Sequence, residues 1–289
     1  MPTHRSHRQR SGRRSVRLAC KRIARRSPVQ TLRGLLAQRR ERIAARFPPR
    51  PHVTLALDIL FADQRLAVVN KPAGLMVHDS ALARGETDFA ADRLREQFGK
   101  PVFLVHRLDR ATSGCLLLAF DRDTASALGK SLMSQAFRKD YLAVCRGWPE
   151  PGEGLIDHPL DGGPGKPQKK PATTQYRLLA TAELDIPSAQ HPTSRYALLQ
   201  CTPHTGRFRQ IRRHLKHIHH HMIGDSSHGD GRHNQAFRMR GVHRMLLHAR
   251  QLSFPHPDDG RLLSVCAPGD REWELAMALL GWTTPVAPP

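Results

Sequence analysis

The sequence predicts an α+β fold. Short β-type runs divided by turn residues begin near Val53, segments with helical periodicity are few, and the two kinds are mixed irregularly along the chain. A parallel α/β protein would instead alternate strand and helix in βαβ units. No internal repeat is present.

The elements follow from local pattern. Ile59-Leu60-Phe61 and Leu66-Ala67-Val68-Val69 flank the polar Asp63-Gln64 as a hairpin, and Asn70-Lys71-Pro72-Ala73-Gly74 closes the second run in a turn. Further strands are expected at Val102–Val105, Cys115–Phe120, Tyr141–Arg146, Thr173–Leu179, Tyr196–Thr202 and Met245–Phe254. Between Arg122 and Phe137, Ala125, Leu128, Leu132 and Ala136 recur at three and four residues, with Asp121 or Asp123 placed to cap a helix. Phe208, Ile211, Leu215 and Ile218 line one face of a second helix, with Thr205 as its expected cap, and Glu272–Leu280 forms a short last one. Asp161–Pro171, rich in Gly, Pro and Lys, reads as a loop.

Charge divides the chain in two. Of 289 residues, the first 50 carry 16 Lys or Arg against the single acid Glu41, while the remainder carries 30 bases against 24 acids. The prolines Pro48, Pro49 and Pro51 mark a boundary, so the sequence is read as a basic extension over 1–52, disordered or partly helical, and a catalytic domain over 53–289. That arm is open to three readings: an RNA-binding extension, an unstructured leader, or an organelle transit peptide. A net charge of +21 makes nucleic acid the default partner, through phosphate neutralisation.

No apolar run approaches the roughly 20 residues that cross a bilayer, so no membrane association is expected and the chain is read as cytoplasmic. The five cysteines lie at least 30 residues apart, which leaves no CxxC pair for zinc or thiol exchange. His214, His217, His219, His220 and His221 are dense enough to raise a metal site, but no carboxylate is spaced as in HExxH, and none is assigned.

The most informative segment is Val102–Gly114 with Cys115-Leu116-Leu117-Leu118 behind it. Two apolar strands enclose a loop that sets Asp109 between Arg107 and Arg110 and ends in small residues. Nearby cations favour an ionised carboxylate, which can act as nucleophile, base or electrostatic stabiliser. An aspartate between arginines is also an ordinary salt-bridge pattern, so these residues alone leave both readings open.

His106-Arg107-Leu108-Asp109-Arg110-Ala111-Thr112-Ser113-Gly114 resembles the HRLDxxTSG motif of the RluA-type pseudouridine synthases, complete over its nine positions. Asn70-Lys71-Pro72-Ala73-Gly74 with Val77-His78, Lys139-Asp140-Tyr141, Lys170-Pro171-Ala172 with Thr174 and Tyr176, and Gly206-Arg207-Phe208-Arg209-Gln210-Ile211-Arg212 running to Ile223-Gly224-Asp225 are similar to its other motifs, in the same order. The likeness covers about residues 55–282. Gly224–Asp230 and Arg244–Ala249 resemble a tRNA-modifying branch of the family. Two departures stand out: Arg209 where the family has His, and Met222 where it has Pro.

The resemblance implies a pseudouridine synthase fold, a mixed and mainly antiparallel sheet with flanking helices around a central RNA-binding cleft. It implies Asp109 as the catalytic carboxylate, Arg212 as its ionic partner and Tyr141 as the residue that stacks on uracil or handles a proton. Arg107 would fill the space of an extruded base or hold its phosphate, Ile211 and Leu215 would wall the pocket, and His106, Lys71 and Arg207 would contact substrate. The reaction exchanges an N–C for a C–C glycosidic bond, so no cofactor and no metal are expected, and the base must leave its stack. The implied substrate is tRNA, at uridine 65 of the T stem, with ribosomal RNA as the alternative. A non-catalytic RNA-binding protein is the less favoured reading. The enzyme is expected to act as a monomer without an obligate protein partner.

Overall fold

A computed structural model describes residues 56–79, 85–132, 134, 136–188 and 190–284. The basic extension over 1–52 lies outside the described residues.

The first hairpin joins β1 (Asp58–Ala62) to β2 (Leu66–Lys71). Its turn is built by Asp63, whose Oδ1 accepts the backbone N–H of Arg65 at 2.7 Å and of Leu66 at 2.9 Å. The chain continues through α1 (Ala90–Phe98), β3 (Phe103–Leu104), β4 (Ser113–Ala119), α2 (Arg122–Ser131), β5 (Arg138–Arg146) and β6 (Glu153–Asp157). Then come β7 (Leu160–Asp161), β8 (Lys169–Lys170), β9 (Thr173–Leu184), β10 (Ser194–Pro203), α3 (Gln210–His217) and α4 (Gly231–Arg238). The last elements are β11 (Leu247–Pro255), β12 (Leu262–Cys266) and α5 (Arg271–Leu279).

One ten-stranded sheet runs in the order β1-β2-β4-β11-β5-β10-β9-β6, with β12 on β11 and β3 on β4, and β7 and β8 form a separate ladder. Among the described residues its pairings are antiparallel except where β11 meets β4, with His248 opposite Ser113 and Ala249 opposite Gly114. At that seam a Cβ on Gly114 would sit 2.2 Å from the Ala249 carbonyl oxygen, and its φ of +107° disfavours any L side chain.

Both faces of the sheet are covered, which is why β4 is apolar at successive positions and not only at alternate ones. Leu116 and Leu118 of β4, with Ala143 and Cys145 of β5, point toward the face covered by Leu94 of α1 and by Ile211 and Leu215 of α3. On the reverse face Cys115 and Leu117 pack with Leu128 of α2, and Leu142 and Val144 pack with Phe237 of α4 and Trp273 of α5.

Several expectations need correction. Helix α2 ends at Ser131 and not at Phe137, because the chain must straighten to enter β5, and Phe137 instead stacks on Phe254 at 5.2 Å. Helix α3 begins at Gln210, since Arg209 takes a left-handed φ of 51° that leaves Phe208 outside the helix. Thr205 does not cap it: its hydroxyl donates to the Gln210 side chain at 2.7 Å. The Asp161–Pro171 segment carries the small β7–β8 ladder at its ends. Helices α1 and α4 and strands β6 and β12 were not anticipated. No helix among the described residues is long and apolar enough to cross a membrane.

Candidate active site

The loop between β3 and β4 is fixed from below before any ligand is considered. Thr112 N–H donates to the Asp109 carbonyl at 3.0 Å, which closes a turn and turns the Asp109 side chain outward. His106 anchors the other end of the turn: the Leu117 backbone N–H donates to its Nε2 at 3.1 Å. Burial first, then the Lys139 cation, push the imidazole down to about 4, so it stays neutral with Nε2 as acceptor.

Lys71 was expected at the substrate, and the structure places it elsewhere. It is completely buried, and its Nζ donates to the carbonyls of Pro72 at 2.7 Å, Leu75 at 2.8 Å and Arg110 at 3.2 Å. Three acceptors match the three donors of an ammonium. Burial, then Arg244, push it down to about 7, while the charge of Asp109 pulls the other way. Its role is to stitch the turn after β2 to the Asp109 loop, together with the Gly74 N–H, which donates to the same Arg110 carbonyl at 2.8 Å.

Helix α3 supplies the opposite wall. Arg212 is 5% exposed, and its Nη1 donates to Asp109 Oδ2 at 2.8 Å across 103 residues of sequence. Nε and Nη2 of the same guanidinium donate to the two oxygens of Asp225, each at 2.7 Å. Burial opposes the charge of Asp225, yet the Arg212 guanidinium and the N–H groups of His228 and Ser227 hold its carboxyl below the usual range. Burial likewise acts to lower Arg212, but Asp225 and then Asp109 outweigh it and raise it. One cation thus serves two carboxylates of unequal access: the side chain of Asp109 is 24% exposed and that of Asp225 is 0% exposed.

Asp109 and Arg212 line a cleft of about 410 Å³, within the roughly 300–1,000 Å³ of small-molecule sites. His106, Arg107, Asp109, Tyr141, Arg207, Ile211 and Arg212 all border it. Leu215 does not. One turn further along α3, it is fully buried in the core behind the wall. The Tyr141 phenol is pushed up by burial and then by the charge of Asp109, so it keeps its proton through the physiological range. Arg207 Nε donates to the Pro171 carbonyl at 3.0 Å, which ties the lip of the cleft to the end of the β7–β8 segment.

Sequence reasoning passed over several residues that the fold brings here. Asp225 appeared only as the end of a turn motif. Lys139 and Gln210 appeared only inside motifs, yet both border the cleft, and Gln210 Oε1 accepts the Arg207 N–H at 2.9 Å. Arg209, one of the departures noted above, stacks its guanidinium on Phe208 at 4.8 Å and donates to Ser227 Oγ at 3.1 Å. The histidines near α3 are engaged with backbone, hydroxyl and ring partners, and His217 stacks on His158 at 3.8 Å. His214 bonds Thr174 Oγ1 and the His158 carbonyl, His220 the Arg146 carbonyl, and His221 the His228 carbonyl. No group of His, Cys, Asp and Glu among the described residues is arranged to hold a metal ion.

A family model described as RNA pseudouridylate synthase matches residues 65–217, a span that takes in Asp109, Tyr141 and Arg212. The chain belongs to that family of isomerases. More narrowly, it is similar to tRNA pseudouridine synthase C of Pasteurella multocida, 41% identical over 240 residues, 79% of this chain and 98% of the relative. It is also 42% identical over 236 residues to the protein of that name from Pectobacterium carotovorum, 78% of this chain and 62% of that longer relative's length. The solved structure of human RNA Pseudouridylate Synthase Domain Containing 4 shares the fold, with a TM-score of 0.60 at 23% identity over 89% of this chain and all of that one.

Proposed function

We propose that this chain converts a uridine in tRNA, uridine 65 of the T stem, to pseudouridine, with Asp109 as the catalytic carboxylate. The observation that carries this reading is the Asp109–Arg212 pair at 2.8 Å on the border of a cleft large enough for one extruded nucleotide. The relatives named tRNA pseudouridine synthase C support tRNA as the substrate.

The residues divide the work as follows. Arg107, exposed at the cleft mouth, takes the place of the extruded base or holds its phosphate, and Arg207 meets the backbone at the other lip. Ile211 and Tyr141 contact the uracil ring, and the protonated phenol is a donor within reach of a proton transfer. The N1–C1′ bond breaks, the uracil turns, and C5 joins C1′ while the C5 proton is lost to solvent and N1 gains one. Ionised Asp109 serves by attack on C1′, by attack on C6, or by taking the C2′ proton. A primary isotope effect with 2′-deuterated uridine selects the last route.

The test is release of tritium from [5-³H]uridine in tRNA and, separately, in ribosomal RNA. Release from tRNA by the parent and none by Asp109→Asn is the expected result. An Asp109→Asn variant as fast as the parent removes the carboxylate from the mechanism, and release from ribosomal RNA alone moves the substrate. Binding of both RNAs without release returns the chain to a non-catalytic RNA-binding role. Action as a monomer in the cytoplasm completes the proposal.

A further inference from the structure

We infer that Arg209, stacked on Phe208, is a preset clamp for a backbone phosphate of the substrate RNA next to the extruded uridine; the inference rests on the reading of the cleft as the seat of that nucleotide. Both residues border the cleft. The family carries histidine where Arg209 stands, and the exchange puts a permanent positive charge at the rim. The backbone gives no reason for it. Arg209 precedes α3 at a φ of 51° and a ψ of 37°, a left-handed conformation that glycine takes freely and an L side chain does not.

The guanidinium is held before any RNA arrives. It lies over the Phe208 ring at 4.8 Å from the centroid, and Nη1 donates to Ser227 Oγ at 3.1 Å. The ring is fixed in turn by the segment that follows β7: a Cβ on Gly163 would come 2.7 Å from Phe208 Cδ1, so the phenyl group lies against that backbone. Asp161 sets the Gly163 turn, with Oδ1 accepting its N–H at 2.8 Å and Oδ2 accepting Arg213 Nη2 at 2.7 Å. A long side chain stacked and tethered in this way has little rotamer freedom left to lose on binding.

The donors left over select the ligand. Ser227 supplies one neutral hydroxyl, and among the described residues no carboxylate lies within ion-pair distance of Arg209. Arg213, by contrast, is neutralised by Asp161. The stack covers one face of the Arg209 guanidinium and leaves its N–H edge, a planar fork that matches two oxygens of one phosphate. An RNA strand that sends a nucleotide into the cleft must carry the phosphates on either side of it across the rim, where Arg209 stands. Arg207 is drawn to the Pro171 carbonyl and Arg209 to Ser227, so the two arginines serve separate phosphates.

The experiment measures tRNA affinity of the full chain between about 50 and 200 mM salt, with single-turnover tritium release from [5-³H]uridine tRNA at saturation. Arg209→Gly removes the fork at a position whose backbone glycine accepts. It should bind tRNA roughly tenfold more weakly at about 0.1 M salt, with the slope of log affinity against log salt smaller by about 1. The loss should fall in affinity and not in the maximal rate, which stays within about twofold, and the melting temperature should stay within about 2 °C. Arg209→Lys keeps the charge without the fork, so it should keep the salt slope and recover part of the affinity. Phe208→Leu should cost about two- to fivefold in affinity at an unchanged slope, and nothing further once Arg209 is replaced by glycine. A parental affinity in Arg209→Gly, a weaker affinity with the parental salt slope, or a loss confined to the maximal rate overturns the inference. So does a melting temperature that drops well beyond that range, which marks a structural residue, or an effect of Phe208→Leu that persists undiminished in the double variant. A parent that binds tRNA with this dependence on Arg209 yet releases no tritium ends the catalytic reading and leaves the clamp, whereas an active parent beside an Arg209→Gly variant of parental affinity ends only the clamp.

Discussion

Replacing Arg212 with Met should expose the electrostatic load that this one side chain carries. The substitution keeps much of the buried stem and removes three charge-assisted hydrogen bonds, one of 2.8 Å to Asp109 and two of 2.7 Å to Asp225. Asp109 can turn to solvent. Asp225, with a side chain 0% exposed, cannot, and two backbone N–H groups are all that remain to it. Stranding one partner of a buried pair costs about 3–5 kcal/mol, a large share of the 5–15 kcal/mol that hold a domain together. In urea at about pH 7.5 the midpoint should fall by roughly 1–2.5 M for a slope of about 2–3 kcal/mol/M. The sign with pH is fixed by linkage. In the parent the Asp225 carboxyl is held below its unfolded value, so it adds stability above that value and loses it as pH falls. In the variant the unpaired buried carboxyl titrates above its unfolded value, so its penalty is present at neutral pH and relieved on acidification. The gap between parent and variant should therefore narrow by about pH 4.5, and Asp225→Asn should restore part of the lost stability in the Arg212→Met background. A loss below about 1 kcal/mol near neutrality, the range of an exposed ion pair, or a gap that does not change with pH, refutes the reasoning.

Three further outcomes follow from the same architecture. His248 is fully buried between Ser113 Oγ at 2.7 Å and the Ala267 carbonyl at 3.1 Å, and burial first pushes it down to about 4. A depressed histidine contributes stability that is complete above its unfolded value and lost as pH falls toward 4, so His248→Gln should flatten the acid side of the stability curve by on the order of 3 kcal/mol; an unchanged slope in urea titrations between about pH 6.5 and 4 counts against it. Gly114→Ala places a methyl group 2.2 Å from the Ala249 carbonyl oxygen at a φ of +107°, and should lower stability by about 3 kcal/mol or more and disable the adjoining loop; a melting temperature within about 2 °C of the parent would contradict the close approach at the seam. Tyr141→Phe keeps the ring and removes the phenol, so tRNA affinity should hold while the maximal rate drops by about 100-fold or more; a parental rate confines Tyr141 to stacking.

The parts of the fold that could be read in the sequence are those where burial has one cause. Cys115–Ala119 is enclosed on both faces and is apolar at every position, so β4 was legible, as were the β1–β2 hairpin and the final helix. Helix α4 was not, because its buried residues are His233, Asn234 and Phe237, two of them polar and present for their hydrogen bonds. Helix α1 lacks a side-chain cap, and its buried positions are two alanines and one leucine among charges. At the site, the likeness of Asp109's loop to a known motif singled out the carboxylate, but a motif says nothing of direction. Lys71, expected to contact substrate, is a buried strut, whereas Asp225, noted only as the end of a turn motif, holds the arginine from behind.

The parallel pairing of β4 with β11 also constrains when the enzyme comes into being. Ser113 and His248 are 135 residues apart, and until the later segment has emerged from the ribosome both β4 and β5 lack the neighbour that separates them in the finished sheet. A nascent chain halted before Leu247 already contains Asp109, Tyr141, Arg212 and Asp225, yet Arg138–Ala143 of β5 and Ser113-Gly114 of β4 still lack their partner strand. Such edges invite pairing with other strands. Assembly of the cleft is thus deferred to a late zippering event, and premature termination anywhere upstream should yield an aggregating fragment and no slow enzyme.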